Sequence, residues 1–390
     1  MPRSTPRPRA RSSRPRCHDG PPRDPGRARA DAPRGDRRRR AHRVGPEAAR
    51  QGVSPALTDG LGRRHTTLRL SIAERCTLRC RYCMPAEGLA WTPNRDLLTT
   101  DELIRLAALF ARLGVTTIRL TGGEPLVRPD AVEVVRRIAA LGVPRLAMTT
   151  NGLALEPQLP ALREAGLTAL TLSLDTLRAD RFRLLTRRDG LDRVLGALAA
   201  AVDAGYRIGG PRPLKVNAVV LRGVNDDEVA ALAGLALRLP VEVRFIEWMP
   251  FAGLGWGRES LVPWTETRAA VEHVHGPLIP REDAPDATAQ TFRFSREAPG
   301  RVGFIASMTA PFCRGCSRLR IAADGAFSVC LFARESVSLR DALRADATDA
   351  EMERLVARAL QRKAPAHGGR SVEALAETAD AGRAMIAIGG

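Results

Sequence analysis

The chain reads as an α/β protein built on a parallel sheet wrapped by helices, and three observations predict that class. From Thr67 onward, short apolar strands alternate with amphipathic helical patterns of ten or more residues. Six such β/α units follow one another, which is the order that builds a parallel sheet. Polar and glycine-rich strings recur just after the strands, at the C-terminal ends where α/β proteins place their sites.

The strands are expected at 68–72, 116–120, 146–150, 169–174, 214–220 and 241–246. Thr99 and Glu102 form a capping box ahead of Leu103, Leu106, Ala107 and Phe110, with Gly114 as the stop. Further helices centre on 131–141, 159–165, 191–204 and 227–237. Periodicity alone leaves open whether the sheet curls into a partial barrel or stays flat. After about Met249 the rhythm breaks into a loop-rich stretch with Gly, Pro and Trp, and a helix follows near 349–361.

Composition narrows the function classes. Apolar residues make up 44% of the 390 and charged residues 27%, and no run of 18 apolar residues appears, which argues against a membrane span. The net charge of +18 is unevenly spread: residues 1–64 hold 18 Arg and 6 acidic residues, a balance of +12, which leaves +6 for the other 326. The remainder is only mildly basic, so no nucleic-acid partner is expected for the folded core. The first 64 residues contain ten Pro and only Leu57, Leu61 and two Val as large aliphatics, so they are expected to be a disordered Arg/Pro-rich tail. An unfolded upstream extension is preferred over a targeting leader, which places the chain in the cytoplasm, with an organelle as the alternative.

Six of the seven cysteines fall into two triplets. Cys76, Cys80 and Cys83 follow the first strand directly. Three thiolates on one tight loop can ligate three irons of a [4Fe–4S] cubane and leave the fourth iron open. A zinc site would need a fourth ligand, and no His lies nearby in sequence. Cys313, Cys316 and Cys330 form a second set of three, and this odd count fits a second open-iron [4Fe–4S] cluster better than zinc.

The run Cys76-Thr77-Leu78-Arg79-Cys80-Arg81-Tyr82-Cys83-Met84-Pro85 resembles the radical S-adenosylmethionine superfamily. The resemblance implies a partial (β/α)6 TIM-like barrel over 65–250 with the first cluster, and a C-terminal extension over 251–390 with the second. It also implies that S-adenosylmethionine is the cofactor, that Tyr82 lies against the adenine, and that Ser173 and Met249 touch the adenosyl group. Gly122-Gly123-Glu124-Pro125 follows the second strand; Gly123 and Glu124 are assigned to the methionine amine. Asn151 and Asp175 also end strands, and binding and helix capping weigh about equally for them. Thr77 and Ala73 stand where the family commonly has Asn and Thr, which touches the cluster surroundings and removes no ligand.

Within that superfamily, Phe312-Cys313-Arg314-Gly315-Cys316-Ser317-Arg318-Leu319-Arg320 and Cys330 resemble the GTP 3′,8-cyclase family, which opens molybdopterin synthesis. A nucleoside triphosphate needs several cations, and Arg69, Arg119, Lys215, Arg244, Arg318 and Arg320 lie on strands or their ends. The resemblance adds Thr149 as a GTP contact, gives Arg318 and Arg320 a part in the chemistry, and lets the terminal Gly389-Gly390 assist it. It further implies a homodimer, a reductase or flavodoxin/ferredoxin electron donor, and a cyclic pyranopterin monophosphate synthase that takes the product. Two alternatives stand beside this reading: a peptide-modifying radical enzyme with an auxiliary cluster, and a zinc-stabilised nucleic-acid-binding module.

Overall fold

All six expected strands form, and they lie side by side in chain order. A computed structural model describes residues 54–377 and 384–389; residues 1–53 of the expected tail, and Gly390, lie outside the described residues. The strands are β1 Thr67–Ala73, β2 Thr117–Gly122, β3 Arg145–Thr150, β4 Ala169–Ser173, β5 Leu214–Val220, β6 Glu242–Glu247, β7 Leu278–Pro280, β8 Gln290–Phe294, β9 Arg301–Ile305, β10 Arg318–Ile321, β11 Ala326–Ser328 and β12 Val337–Ser338. They form one sheet in the order β12-β11-β10-β1-β2-β3-β4-β5-β6-β9-β8-β7. The run from β10 through β1–β6 to β9 is parallel, and antiparallel strands extend it at both edges.

The two faces of the strands differ as a period of two requires. Leu68 and Leu70, Ile118 and Leu120, Val216 and Ala218, Val243 and Phe245, and Leu319 and Ile321 are buried in the main core. The residues between them, Arg69, Arg119, Lys215, Asn217, Arg244, Arg318 and Arg320, line a cavity on the other face. That cavity is also lined by Arg301 of β9, at the far end of the parallel run from β10. Strands from opposite ends meet one cavity only if the sheet is curled, so the barrel is partial and not flat.

The helices cover the outside. The capping box at Thr99 and Glu102 forms as expected and starts Thr100–Arg112, which buries Leu103, Leu106, Ala107 and Phe110. Each fully buried Leu contributes roughly 1.5–3 kcal/mol and the cap about 1 kcal/mol. Ala131–Ala139, Leu155–Glu164, Leu191–Asp203 and Asp349–Gln361 also fall where expected. The pattern at 227–237 breaks at Gly234 into Val229–Ala233 and Leu235–Arg238.

One expectation changes. Residues 54–64, assigned to the tail, are ordered: Leu57 is fully buried, and Arg63 bonds Asp59 and the carbonyls of Cys313, Ala364 and Pro365. Composition reports whether a segment can build its own core, and this one borrows the core of the body. The stretch after Met249 is loop-rich as expected, and it also holds the helix Trp264–His275 and the strands β7–β9. Those strands are too short to announce themselves and are stabilised by their neighbours. The extension over 251–390 is joined to the barrel's sheet, since β10 pairs with β1 and β9 pairs with β6.

Candidate active site

The first cysteine loop leaves β1 at Ala73 and is pinned from two sides. Arg79 and Arg81 donate backbone N–H groups to Thr186 and Leu185, at the end of the helix Ala179–Thr186, which the periodicity had not shown. On the other side Gly123 and Glu124 donate to the carbonyls of Ala73 and Arg75, each at 2.9 Å. A Cβ on Gly123 would lie 2.5 Å from the carbonyl oxygens of Glu74 and Arg75, so this glycine is needed for close backbone packing. The Gly-Gly string thus presses one strand end against the cysteine loop.

Cys76, Cys80 and Cys83 face the shared cavity, whose volume is about 890 Å³. Burial pushes the Cys76 thiol up to about 11, Cys83 to about 12, and Cys80 well above its ordinary value. Thiols so placed favour the neutral form unless a positive group joins them, and an iron cluster supplies that charge. No group of three or more His, Cys, Asp or Glu among the described residues is arranged to hold one metal ion. A cubane makes no such demand, because each thiolate ligates a separate iron. The donor set therefore fits the cluster.

Around this loop the expected cofactor residues gather. Tyr82, Gly123, Glu124, Ser173 and Met249 all line the cavity. The Tyr82 hydroxyl donates to Asp175 at 2.6 Å, and Asp175 also accepts from the Val219 amide at 2.8 Å. Burial raises the Asp175 carboxyl to about 6. Glu124 departs from a simple ligand role: its carboxylate accepts from Leu126 N, Thr150 Oγ1 and Asn151 N. It ties the turn to the end of β3 and has little acceptor capacity left, and burial lifts it to about 7. Asn151 donates to Thr77 Oγ1 at 3.0 Å, so the hydroxyl of Thr77 is engaged beside the cluster loop.

The second triplet sits one step behind the cavity wall. Phe312, Ser317 and Leu331, which flank it in sequence, line the cavity. Cys313 lies within electrostatic reach of both Cys330 and Cys316. Cys316 differs from its partners: Arg318 Nη2 lies 3.4 Å and Lys363 Nζ 3.3 Å from its sulfur. These charges outweigh burial and lower the thiol to about 6.

Between the two triplets lies a row of cations. Arg320, Arg69 and Arg119 occupy matched positions on adjacent strands β10, β1 and β2. Like charges directly opposite are destabilising in a sheet. Arg119 reaches only hydroxyls, Thr171 at 3.0 Å and Thr149 at 3.3 Å. Burial and then neighbouring arginines depress Arg69 well below its ordinary value, and Arg119 and Arg320 to about 10. Arg69 Nε, Thr121 Oγ1, Asn217 Oδ1 and Arg320 Nη1, all from cavity-lining residues, are buried with no hydrogen-bond partner among the described residues. Buried polar groups are seldom left so, and four in one cavity point to a polar ligand.

On the opposite wall, buried Glu242 collects Lys215 at 3.9 Å, Arg244 and Arg301. The three cations outweigh burial and bring its carboxyl to about 2. Burial first, and Arg244 second, lower Lys215 to about 7. Arg301 was not among the expected residues, nor were Asn217 and Lys363. Arg301 and Asn217 alternate with apolar residues on strands, a signal available once the strand is known. Gly389 packs against Ser71 and Thr121 at the cavity's edge, with φ of 81°.

Residues 70–236 match the model of the radical SAM superfamily, and residues 241–369 match that of molybdenum cofactor synthesis C. The chain is 47% identical over 339 residues to "GTP 3′,8-cyclase, mitochondrial" of Arabidopsis thaliana, covering 87% of this chain and 84% of that one. It is 46% identical to "Molybdenum cofactor biosynthesis protein 1" of Mus musculus over 81% of its own length, yet spans about half of that relative, 49%. Among solved structures, Streptococcus suis SuiB bound to S-adenosylmethionine shares the fold, with a TM-score of 0.51, 16% identity, and coverage of 75% of this chain and 68% of SuiB. With two family models in succession and a relative matched over most of both chains, this chain belongs to the radical SAM superfamily and, within it, to the GTP 3′,8-cyclase family.

Proposed function

We propose that the chain converts GTP to 3′,8-cyclo-7,8-dihydro-GTP, the first step of molybdenum cofactor biosynthesis. The observation that carries this reading is the arginine row. Arg69, Arg119, Arg318 and Arg320 have no carboxylate partner among the described residues, and they face a cavity lined by Cys76, Cys80 and Cys83 and by Phe312, Ser317 and Leu331, which flank the second triplet in sequence. A triphosphate supplies the missing negative charge, and guanidinium forks suit its oxygens.

Cys76, Cys80 and Cys83 would hold one [4Fe–4S] cluster, which with S-adenosylmethionine would supply the radical chemistry needed at the ribose C3′. Tyr82, steadied by Asp175, orients the adenine, while Ser173 and Met249 flank the adenosyl group. Gly123, with Glu124 bracing the same turn, receives the methionine amine. Thr149, Lys215, Arg244 and the arginine row bind GTP and hold its C3′ towards the first site. Cys313, Cys316 and Cys330 would hold a second cluster, which would supply Lewis-acid chemistry to the guanine. Arg318 and Arg320 keep the base and its neighbouring charge in place as C3′ meets C8. Gly389 closes the edge by Ser71, and the neighbouring Gly390 lies outside the described residues.

The six cysteines of the triplets are unpaired, which supports a reducing compartment, cytoplasm or organelle matrix. Among the described residues no helix is long and apolar enough to cross a membrane. Resemblance supports a homodimer, an electron donor of flavodoxin, ferredoxin or reductase type, and a synthase that consumes the cyclic product.

The test is anaerobic reconstitution followed by incubation with GTP, S-adenosylmethionine and a reductant. About eight irons per chain, with 5′-deoxyadenosine formed in step with GTP loss, support the reading. Zinc in place of iron, or cofactor cleavage indifferent to GTP, would overturn it.

A further inference from the structure

The chain has two lysines. One, Lys215, lines the cavity. The other, Lys363, lies on the far side of the second triplet and is only 5% exposed. Its ammonium has three protons to place, and three acceptors surround it: Cys316 Sγ at 3.3 Å, the Arg318 carbonyl at 3.1 Å and His65 Nε2 at 2.8 Å.

The histidine makes this arrangement directional. His65 Nδ1 faces the Leu57 carbonyl at 3.2 Å. A carbonyl can only accept, so Nδ1 carries the proton. A lysine ammonium can only donate, so Nε2 must offer its lone pair. The ring is fully buried and therefore held as the neutral Nδ1–H tautomer; burial, and then the Lys363 charge, lower it to about 4. The acid of this network, Asp59, is turned to Arg63 at 2.6 Å and stays 3.7 Å from His65 Nε2. With two of its protons directed to His65 and to the Arg318 carbonyl, Lys363 has its third aimed at the sulfur.

We infer that Lys363 is a positioning residue that donates a charged hydrogen bond to Cys316 Sγ and raises the reduction potential of the second cluster. The inference rests on reading Cys313, Cys316 and Cys330 as a cluster site. A cluster gains negative charge on reduction, so a fixed buried cation beside one sulfur favours the reduced form. Hydrogen bonds to the sulfurs and local charge are the usual means by which a protein sets such potentials. Arg318 approaches the same sulfur, but it also lines the substrate cavity, so its charge is shared with the ligand there. Lys363 lies outside that lining and acts whether or not substrate is bound.

The test uses the full chain with Cys76, Cys80 and Cys83 replaced by Ala, so that only second-site iron is seen. Iron analysis and a redox titration followed by electron paramagnetic resonance are run on this parent and on its Lys363→Met and Lys363→Arg forms. The expected result is about four irons in each form, a midpoint shifted to more negative potential in Lys363→Met, and a midpoint near the parent's in Lys363→Arg. Iron lost from Lys363→Met but kept by Lys363→Arg also supports the inference, since a cationic donor beside the sulfur is then what the site requires. An unmoved midpoint in Lys363→Met, or iron lost from both variants, overturns it. A parent that binds no iron at the second triplet refutes the underlying reading of that site instead.

Discussion

Tyr82 donates its hydroxyl proton to Asp175 across 2.6 Å, and this bond ties the loop of the first triplet to the end of β4. Tyr82→Phe leaves the buried Asp175 carboxylate with the Val219 amide as its remaining donor. The expected cost is about 1–3 kcal/mol of stability, read from the denaturant midpoint. S-adenosylmethionine binding should weaken with it while GTP binding holds, and calorimetric titration of each ligand would show whether the two separate.

The row Arg320–Arg69–Arg119 sets binding against stability. Arg69→Met removes one repelling charge from the middle of the row, so the ligand-free protein should melt at the same temperature or higher. Loss of a charge-assisted contact of about 1.5–3 kcal/mol should weaken GTP binding roughly ten- to a hundredfold. A lower melting temperature with unchanged GTP affinity would make Arg69 a structural residue.

Lys215 should couple GTP binding to proton uptake. Its folded value is lowered to about 7 from an ordinary 10.5, chiefly by burial, so above pH 7 the free protein holds it largely neutral. A bound triphosphate favours the ammonium and raises that value. Affinity should therefore fall as pH rises through 7, with protons taken up on binding between about pH 7 and 10. By the same sign, the unfolded chain binds the proton that the ligand-free fold lacks, and this residue's contribution makes the free protein more stable as pH climbs through that window. Titration calorimetry in buffers of different ionisation heat measures the uptake, and Lys215→Met should lose it.

Gly123→Ala places a methyl group 2.5 Å from the carbonyl oxygens of Glu74 and Arg75, both backbone atoms. The cysteine loop must shift to admit it. Iron bound by the first triplet should fall several-fold while iron at the second stays near its normal level, as shown by iron analysis in variants that retain one triplet each.

Arg63 joins the segment 54–64 to the second site by donating to the carbonyl of Cys313 at 3.0 Å and to those of Ala364 and Pro365 at 2.9 Å. Arg63→Ala strands these acceptors and should cost about 1–3 kcal/mol. Second-site iron should be lost before first-site iron under mild denaturant. Equal loss from both sites would mean the segment acts on the fold as a whole.

What could be read from the sequence was local. The capping box at Thr99 and Glu102, the six apolar strands, the cysteine spacings and the Gly-Gly-Glu string each lie within a few residues, and each is dictated by the chemistry of neighbours along the chain. Alternation also placed Arg69, Arg119, Lys215 and Arg244 on strands, and the fold brings them to one cavity as expected. The tertiary structure decided the rest. The four-residue β10 has no signal of its own, yet pairing with β1, some 250 positions earlier, sets Arg320 beside Arg69. Glu124 looked like a ligand and proves to be largely occupied by Thr150 and Asn151, because a buried carboxylate takes whatever donors the fold supplies. His65 and Lys363 are 298 positions apart and meet at 2.8 Å. No periodicity can report such a pair: its partners share no local backbone, and only the tertiary fold that buries both brings them together.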